Sequence, residues 1–228
     1  MRALAIDTSA QRAAVVLVEN GALVAREENL DPAQHAERLF DLASRAFATA
    51  GWLKNQLDVV TVCTGPGSFT GIRVGLASAK GIALGLDRPI VGVGSLEAMA
   101  GAARSPRAQH VTPEETVVAL LDARKGEVFW AAFDAELVTS AGPAHVTADR
   151  AGEEIARLVR APLVIVGAVA RDLATGSLRV IQSKETNLPD ALFVARLGTD
   201  KLVRRGADDV HALEPIYVRP PDVTMPKA

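Results

Sequence analysis

The sequence predicts an α/β protein of two lobes, each with a mixed sheet and helices, in which the second lobe is shorter. One observation is that short, mostly apolar runs typical of strands alternate with longer segments of helical periodicity. The other is a weak repeat. Leu4–Asp7 and Ala119–Asp122 each read as a strand that ends in an aspartate, followed by a polar turn and a second strand. The repeat indicates a duplicated unit, with chance similarity as the alternative.

The lobes are assigned by residue range. We expect residues 1–100 to form the first lobe and residues 101–190 to form the smaller second lobe. Residues 191–228 are then a C-terminal helix and tail that pack back on the first lobe. The polar, proline-containing stretch from Ser105 to Glu115 is the predicted connection between the lobes.

The first lobe opens with an antiparallel meander. Asn20-Gly21 is a strong hairpin signal, because both central positions of a tight primed turn require positive φ. A helix follows from Pro32, which suits a first helical turn, to Ala50, and Gly51 ends it. The predicted strands of this lobe are Leu4–Asp7, Ala13–Glu19, Leu23–Glu28, Leu57–Thr64 and Ile90–Val93.

The second half contains fewer clear signals. Asp122–Gly126 reads as a turn between two strands, Ala191–Arg205 as an amphipathic helix, and the chain from Pro215 onward as an extended surface tail. The predicted strands are Thr116–Leu121, Glu127–Phe133 and Leu163–Gly167.

A glycine-rich loop, Gly65–Gly71, joins a strand to a helix that ends near Gly85. Backbone N–H groups converge in such a loop, so it is a candidate anion cradle. It lacks the Lys-Ser/Thr pair of a Walker A loop and the third glycine of the dinucleotide fingerprint. The alternative is a tight strand-to-helix turn capped by Ser68 or Thr70. The candidate phosphate-loop residues are Gly65, Pro66, Gly67, Ser68, Thr70 and Gly71.

Asp7, Thr8 and Ser9 form the second candidate site. An acid at the end of a first strand, followed by hydroxyls, is an arrangement that holds a metal or positions water in phosphate-handling folds. A turn-forming aspartate with two capping hydroxyls is the alternative.

The helix after the loop has a nearly bare face. Glycine in a helix interior costs about 1 kcal/mol relative to alanine, so this face needs a packing reason. Packing within the subunit and a subunit interface explain it equally well. The face consists of Gly71, Gly75, Ser78, Ala79, Ile82 and Ala83.

No metal site is predicted. His35, His110, His145 and His211 are scattered, with no pair at helical spacing and no cysteine pair. No serine has the glycine spacing of a nucleophile elbow.

Five segments resemble the TsaB (YeaZ) family over nearly the whole chain. The resemblance implies an actin-like ATPase (ASKHA) fold, which also contains the heat-shock-type ATPase domains. Gly-Pro-Gly-Ser-Phe-Thr-Gly followed by an arginine-containing helix is the most specific of the motifs. The segments are Ile6–Ser9, His35–Leu39, Gly65–Gly75, Asp122–Gly126 and Pro215–Arg219.

The resemblance also implies that the chain is not an enzyme. The active site belongs to the larger paralogue, TsaD, in which two histidines that bracket Leu-Glu-Gly bind a metal. Ser95 and Met99 stand at those two positions here. Gln11 and Arg12 stand where the TsaD-type first loop has an acidic pair. With the short second lobe, these differences indicate a pseudo-enzyme without catalytic residues, metal or cofactor.

The family implies a partner role in the transfer of threonylcarbamoyl to tRNA adenosine. The first-lobe helices would pack against those of a TsaD-like paralogue, or of a second copy when the chain is alone. A small TsaE-like ATPase joins the pair, and tRNA is contacted only through the complex. The predicted interface residues are His35, Leu39, Phe40, Ala43, Phe47, Gly71, Arg73, Val74, Gly75, Ser78, Ala79 and Ile82.

Two other functions compete with this one. An independent ATP-dependent kinase or hydrolase of the actin-like class would use Asp7 and the Gly65–Gly71 loop. A metalloprotease, an activity once ascribed to this superfamily, has no metal-ligand spacing to support it.

Overall fold

Two five-stranded mixed sheets with the same strand order form the framework of the protein. The computed structural model describes residues 1–31, 35–106, 111–159, 162–170 and 179–219. The first sheet has the order β3-β2-β1-β4-β5 and the second the order β8-β7-β6-β9-β10. The first-sheet strands are β1 (Arg2–Asp7), β2 (Ala13–Glu19), β3 (Ala22–Asn29), β4 (Val59–Gly65) and β5 (Ile90–Gly94). The second-sheet strands are β6 (Thr116–Arg124), β7 (Glu127–Phe133), β8 (Thr139–Thr147), β9 (Leu163–Val166) and β10 (Arg179–Ile181).

The identical order supports the predicted duplication. In each sheet the first three strands form an antiparallel meander, and the last two are parallel to the first. The second sheet is complete in strand number, and its shortening lies in β9 and β10, which have four and three residues.

Six α-helices of the described residues cover the sheets. They are α1 (His35–Ala50), α2 (Phe69–Leu86), α3 (Ser95–Ala103), α4 (Ala148–Leu158), α5 (Lys184–Asn187) and α6 (Ala191–Arg205). One face of the first sheet packs against α1 and α2, and its other face packs against α6. Helix α3 lies between this α6 layer and the second sheet, and α4 covers the outer face of the second sheet. No described helix is long and apolar enough to span a membrane.

Alternation along β1 explains how one strand serves two helical layers. Leu4 and Ile6 point into the α1–α2 layer, whereas Ala3 and Ala5 point toward α6. The small alanines let α6 approach the sheet closely. Gly198 of α6 continues this close packing, because a Cβ there would lie 2.4 Å from Cγ2 of Thr61.

Several predicted boundaries differ from the structure. A 3₁₀ turn at Lys54–Gln56 delays the start of β4 to Val59. Strand β6 continues to Arg124, so the predicted turn at Asp122–Gly126 is shorter. The predicted helix start at Pro32 lies outside the described residues, which show α1 from His35 onward.

Three helices and two strands were not predicted from the sequence: α3, α4, α5, β8 and β10. Strand β8 is an edge strand with mostly exposed side chains and contains Gly142-Pro143, so its apolar alternation is weak. Helix α3 is buried on nearly every side, so it shows no apolar stripe against a polar face.

Candidate functional site

A cleft of about 380 Å³ lies between the two sheets, and each candidate motif contributes to its lining, Ser9 from one and Gly67 and Ser68 from the other. The Asp7–Ser9 turn and the Gly65–Gly71 loop border it from the first lobe, and the turn after β6 borders it from the second. Its lining residues are Ser9, Ala10, Gln11, Gly67, Ser68, Phe69, Leu121, Asp122, Ala123, Arg124, Phe129, Leu188, Tyr217, Val218 and Arg219.

The glycine-rich loop is bound by the chain itself. The backbone N–H of Ser68 donates to the carbonyl oxygen of Ser9 at 2.7 Å. Ser68 is the N-cap of α2, and its Oγ accepts from the N–H of Gly71 at 3.2 Å. Because these N–H groups already have acceptors, they are not directed at an anion in the cleft. The loop therefore has the geometry of the tight capped turn, with Ser68 rather than Thr70 as the cap.

The Asp7 carboxylate is buried at the base of this loop. Its Oδ1 accepts from the backbone N–H of Ser9 at 2.9 Å and from the Ser9 hydroxyl at 2.6 Å. Burial raises the pKa of Asp7, although the hydrogen bonds from Ser9 lower it in part. The acid acts as the turn-forming residue of the first lobe, and its side chain is buried.

Close contacts with Thr8 explain why two positions of α2 are glycine. Its hydroxyl donates to the carbonyl oxygen of Gly71 at 2.7 Å. A Cβ at Gly71 would lie 2.1 Å from the Thr8 carbonyl oxygen, and a Cβ at Gly75 would lie 2.2 Å from the Thr8 hydroxyl. Both distances are far below van der Waals contact, so the two glycines are required for packing of α2 on the first turn of the same subunit.

Arg12 is part of a mostly buried ion-pair network. Its guanidinium lies 3.3 Å from Glu28 and 3.7 Å from Asp190, and it donates to the carbonyl oxygen of Pro189 at 3.1 Å. Arg26 pairs with the same two carboxylates. Asp190 also caps α6 by accepting from the N–H of Leu192. The cation therefore fastens α6 to the first sheet, whereas Gln11 lines the cleft.

Ser95 and Met99 both lie inside the protein. The Ser95 hydroxyl is fully buried and donates to the carbonyl oxygen of Pro66 at 2.5 Å. Met99 is fully buried in the core between α3 and the second sheet. Within the described ranges no three His, Cys, Asp or Glu side chains lie close enough together to bind a metal ion.

The predicted interface residues divide into two groups. Packing inside the subunit accounts for half of them, which are Leu39, Ala43, Phe47, Gly71, Gly75 and Ala79. Phe40 and Arg73 are exposed, and Val74, Ser78 and Ile82 are half-buried. His35 begins α1, but its side chain lies outside the described part of the chain.

The outward face of α2 was identified from the sequence only at Arg73. It consists of Arg73, Ala77, Gly81, Leu84 and Gly85, and no atom lies within 4 Å of a Cβ built at Gly81 or Gly85. A repeat of three or four residues from Arg73 marks this face in the sequence. The rest of the face was missed because α2 has small residues on two faces, and the glycines of the inner face are closer to the loop motif.

The duplicated sheets and the cleft between them define the class of protein. The strand order and the interlobe cleft are those of the actin-like ATPase fold. A ROK hexokinase from Thermus thermophilus has the same fold at 14% identity, with a TM-score of 0.55 over 88% of this chain and all of that chain.

Closer relatives define the family. The family model of tRNA N6-adenosine threonylcarbamoyltransferases (TsaD) matches residues 8–182. The chain is 31% identical over 224 residues to the tRNA threonylcarbamoyladenosine biosynthesis protein TsaB of Haemophilus influenzae, a match that covers 95% of this chain and 92% of that one. A 39% identical match to TsaB of Escherichia coli spans 134 residues, or 58% of this chain and 55% of the relative. The chain belongs to the TsaB (YeaZ) family.

The structural comparison agrees with this assignment. YeaZ from Pseudomonas aeruginosa has a TM-score of 0.77 at 25% identity, over 95% of this chain and 99% of that chain. The similarity extends through both lobes, so the second lobe belongs to the shared fold.

Proposed function

We propose that this chain is a non-catalytic cytoplasmic subunit in tRNA threonylcarbamoyladenosine biosynthesis, which binds a TsaD-like paralogue and, with it, a TsaE-like ATPase. The observation that carries the proposal is the hydrogen bonding of the loop. The N–H of Ser68 is bound by Ser9, and Asp7 is buried under the same turn. An acid and two loop amides, those of Ser68 and Gly71, that are already bound within the chain offer less to a phosphate or a metal than an open cradle does.

The proposed binding surface is the outward face of α1 and α2. Phe40 is 58% exposed on α1 and Leu84 is 56% exposed on α2, and the two helices are neighbours on the same side of the first sheet. The small residues Ala77, Gly81 and Gly85 leave the surface of α2 flat enough for a partner helix to approach. Phenylalanine is among the aromatic residues enriched at the core of protein–protein interfaces, so Phe40 is the expected centre of this surface.

Gel filtration with the TsaD-like paralogue tests the proposal. The two chains should elute as a heterodimer, and Phe40→Asp should weaken the complex by about tenfold or more, as expected for a central aromatic contact. Val203→Asp is the matched control, because Val203 is 74% exposed on α6, on the opposite side of the first sheet. Absence of a complex, or tRNA modification that is equally fast without this chain, contradicts the proposal.

An ATP-dependent kinase or hydrolase is the second candidate, because the interlobe cleft is large enough for a small ligand. Calorimetry of the isolated chain with ATP and Mg²⁺ distinguishes the two. Micromolar binding favours the enzyme, whereas the absence of heat favours the scaffold.

A further inference from the structure

The C-terminal segment (residues 215–219) passes from the first lobe to the second along the cleft. These five residues contact both lobes, although they come after the whole of the second lobe in the sequence. Tyr217, Val218 and Arg219 form part of the cleft wall.

Its first half is bound to the first lobe. The backbone N–H of Ile216 donates to the carbonyl oxygen of Thr64 at 2.8 Å, at the end of β4. The ring of Tyr217 lies 5.2 Å from that of Phe69, and its hydroxyl accepts from Nε of Arg73 at 2.6 Å. The Arg73 guanidinium stacks on Phe69 at 3.8 Å from the ring centroid, so the three side chains form one cluster at the start of α2.

Its second half is bound to the second lobe. Nη1 of Arg219 donates to the carbonyl oxygen of Ala123 at 2.9 Å and to Glu127 at 2.6 Å, on the two sides of the turn between β6 and β7. Val218 packs against the core of the second sheet, and its carbonyl oxygen lies 3.1 Å from Nδ1 of His145.

We propose that the C-terminal segment is a clasp that holds the two lobes together across the cleft, and that Arg73 links this clasp to the partner-binding face of α2. Arg73 is exposed on that face and is also the hydrogen-bond donor of Tyr217. A partner that takes over the Arg73 guanidinium would therefore remove one anchor of the clasp. This second part of the inference rests on the proposed function, whereas the clasp itself concerns the isolated chain.

Thermodynamic linkage predicts whether loosening the clasp raises or lowers the affinity for the partner. If the partner and Tyr217 compete for Arg73, partner binding loosens the clasp, and loosening the clasp strengthens partner binding by the same factor. Tyr217→Phe is the most selective variant, because it removes the hydroxyl that Arg73 binds and keeps the ring that packs on Phe69.

Hydrogen–deuterium exchange of the isolated chain tests the clasp. The Ile216 amide and the amides of residues 123–127 should exchange about three- to tenfold faster in Tyr217→Phe, the factor of one hydrogen bond of ordinary net strength. Tyr217→Ala should increase exchange further at the same amides and leave the centres of β1 and β6 unchanged. Thr199→Ala, which removes a hydrogen-bonded hydroxyl on α6, is the control and should change neither region.

Three outcomes would overturn parts of the inference. Unchanged exchange at Ile216 and at residues 123–127 in both Tyr217 variants overturns the clasp. Equal affinity of the wild type and Tyr217→Phe for the TsaD-like paralogue overturns the link through Arg73, where a three- to tenfold tighter complex is expected. If the paralogue binds neither chain, the proposed function and the link both fail, and the exchange data alone decide the clasp.

Discussion

The same local turn holds a buried aspartate in the first lobe and an exposed aspartate in the second. Asp7 ends β1 and Asp122 lies near the end of β6, and each accepts a hydrogen bond from the backbone N–H two residues later. Asp7 is buried under the glycine-rich loop, whereas Asp122 is exposed at the mouth of the cleft. The duplicated fold thus preserves the backbone turn in both halves, while the packing around it decides whether the acid is available to solvent.

The difference arises from what packs on each turn. In the first lobe, the carbonyl oxygens of Thr8 and Ser9 contact the loop and α2 so closely that only glycine fits at positions 67 and 71. In the second lobe, Gly126 has no atom within 4 Å of a Cβ position, and the turn is instead approached by Arg219 of the C-terminal segment. Close packing of the loop and α2 therefore holds the first turn, and hydrogen bonding by Arg219 holds the second.

Alanine at Gly71, which packs on the first-lobe turn, and at Gly126, which lies in the second-lobe turn, should show the largest contrast between the lobes. Gly71→Ala forces a Cβ against the Thr8 carbonyl oxygen, so we expect a loss of about 1–3 kcal/mol or more in the free energy of unfolding, typical of overpacking. Gly126→Ala has free space, and its cost of about 1–2 kcal/mol comes only from the left-handed backbone at φ 74°. Urea unfolding at constant m-value measures both. A smaller loss for Gly71→Ala than for Gly126→Ala would contradict the packed-turn interpretation.

The two aspartates should also differ in their effect on pH dependence. Burial raises the folded-state pKa of Asp7, so the folded protein binds this proton more tightly than the unfolded chain does. The stabilising contribution of the proton is complete below the unfolded pKa of about 3.9 and is lost as the pH rises through the folded-state pKa.

Asp7→Asn should remove the loss of stability that the wild type shows as the pH rises. The amide oxygen of asparagine can still accept from Ser9, but it carries no buried charge. We expect a higher Tm than the wild type at pH 8, by about 2–4 °C for each kcal/mol recovered, and a smaller difference near pH 4. Asp122→Asn should change the free energy of unfolding by less than about 0.5 kcal/mol at either pH. Thermal unfolding of the three chains across this range is the measurement. A Tm of Asp7→Asn that stays below the wild type at pH 8 would show that the charge is stabilised.

The sequence was sufficient for the strands of the first lobe and for the duplicated unit, because alternation and the Asn20-Gly21 turn are local signals. It placed β2, β7 and α6 at their observed boundaries. It did not locate α3, whose surroundings are apolar on nearly every side. The glycines of α2 also remained ambiguous, because the contact that requires them, with Thr8, joins residues 63 positions apart.

The structure shows hydrogen bonds around the candidate site residues that the sequence could not reveal. The motif identified Asp7 and Ser68, and no local pattern could reveal that Ser9 occupies the N–H of Ser68. The pairing of Arg12 with Asp190 and that of Arg73 with Tyr217 depend on tertiary contacts over 178 and 144 positions. Such contacts form only when α6 and the C-terminal segment pack back on the first lobe, which residue spacing alone does not encode.

Two hairpin turns, the β2–β3 turn of the first lobe and the β6–β7 turn of the second, give the smallest expected effect. The first lobe has Asn20 at φ 51°, a residue that tolerates the left-handed region, whereas the second lobe has Lys125 at φ 56°. Lys125→Asn should therefore stabilise the chain by about 0.5–1 kcal/mol, because a left-handed lysine is strained.

Asn20→Lys is the reciprocal variant, and it should destabilise the chain by more than this. The Asn20 side chain also accepts a hydrogen bond from the N-terminal amine, and a lysine has no acceptor that could replace it. Urea midpoints of the two variants, measured side by side, test the pair. If Lys125→Asn is neutral or destabilising, the contacts of the lysine side chain outweigh the backbone strain. The basic turn at the mouth of the cleft would then be held in place by its side chains, in contrast to the first-lobe hairpin, whose residues suit its backbone.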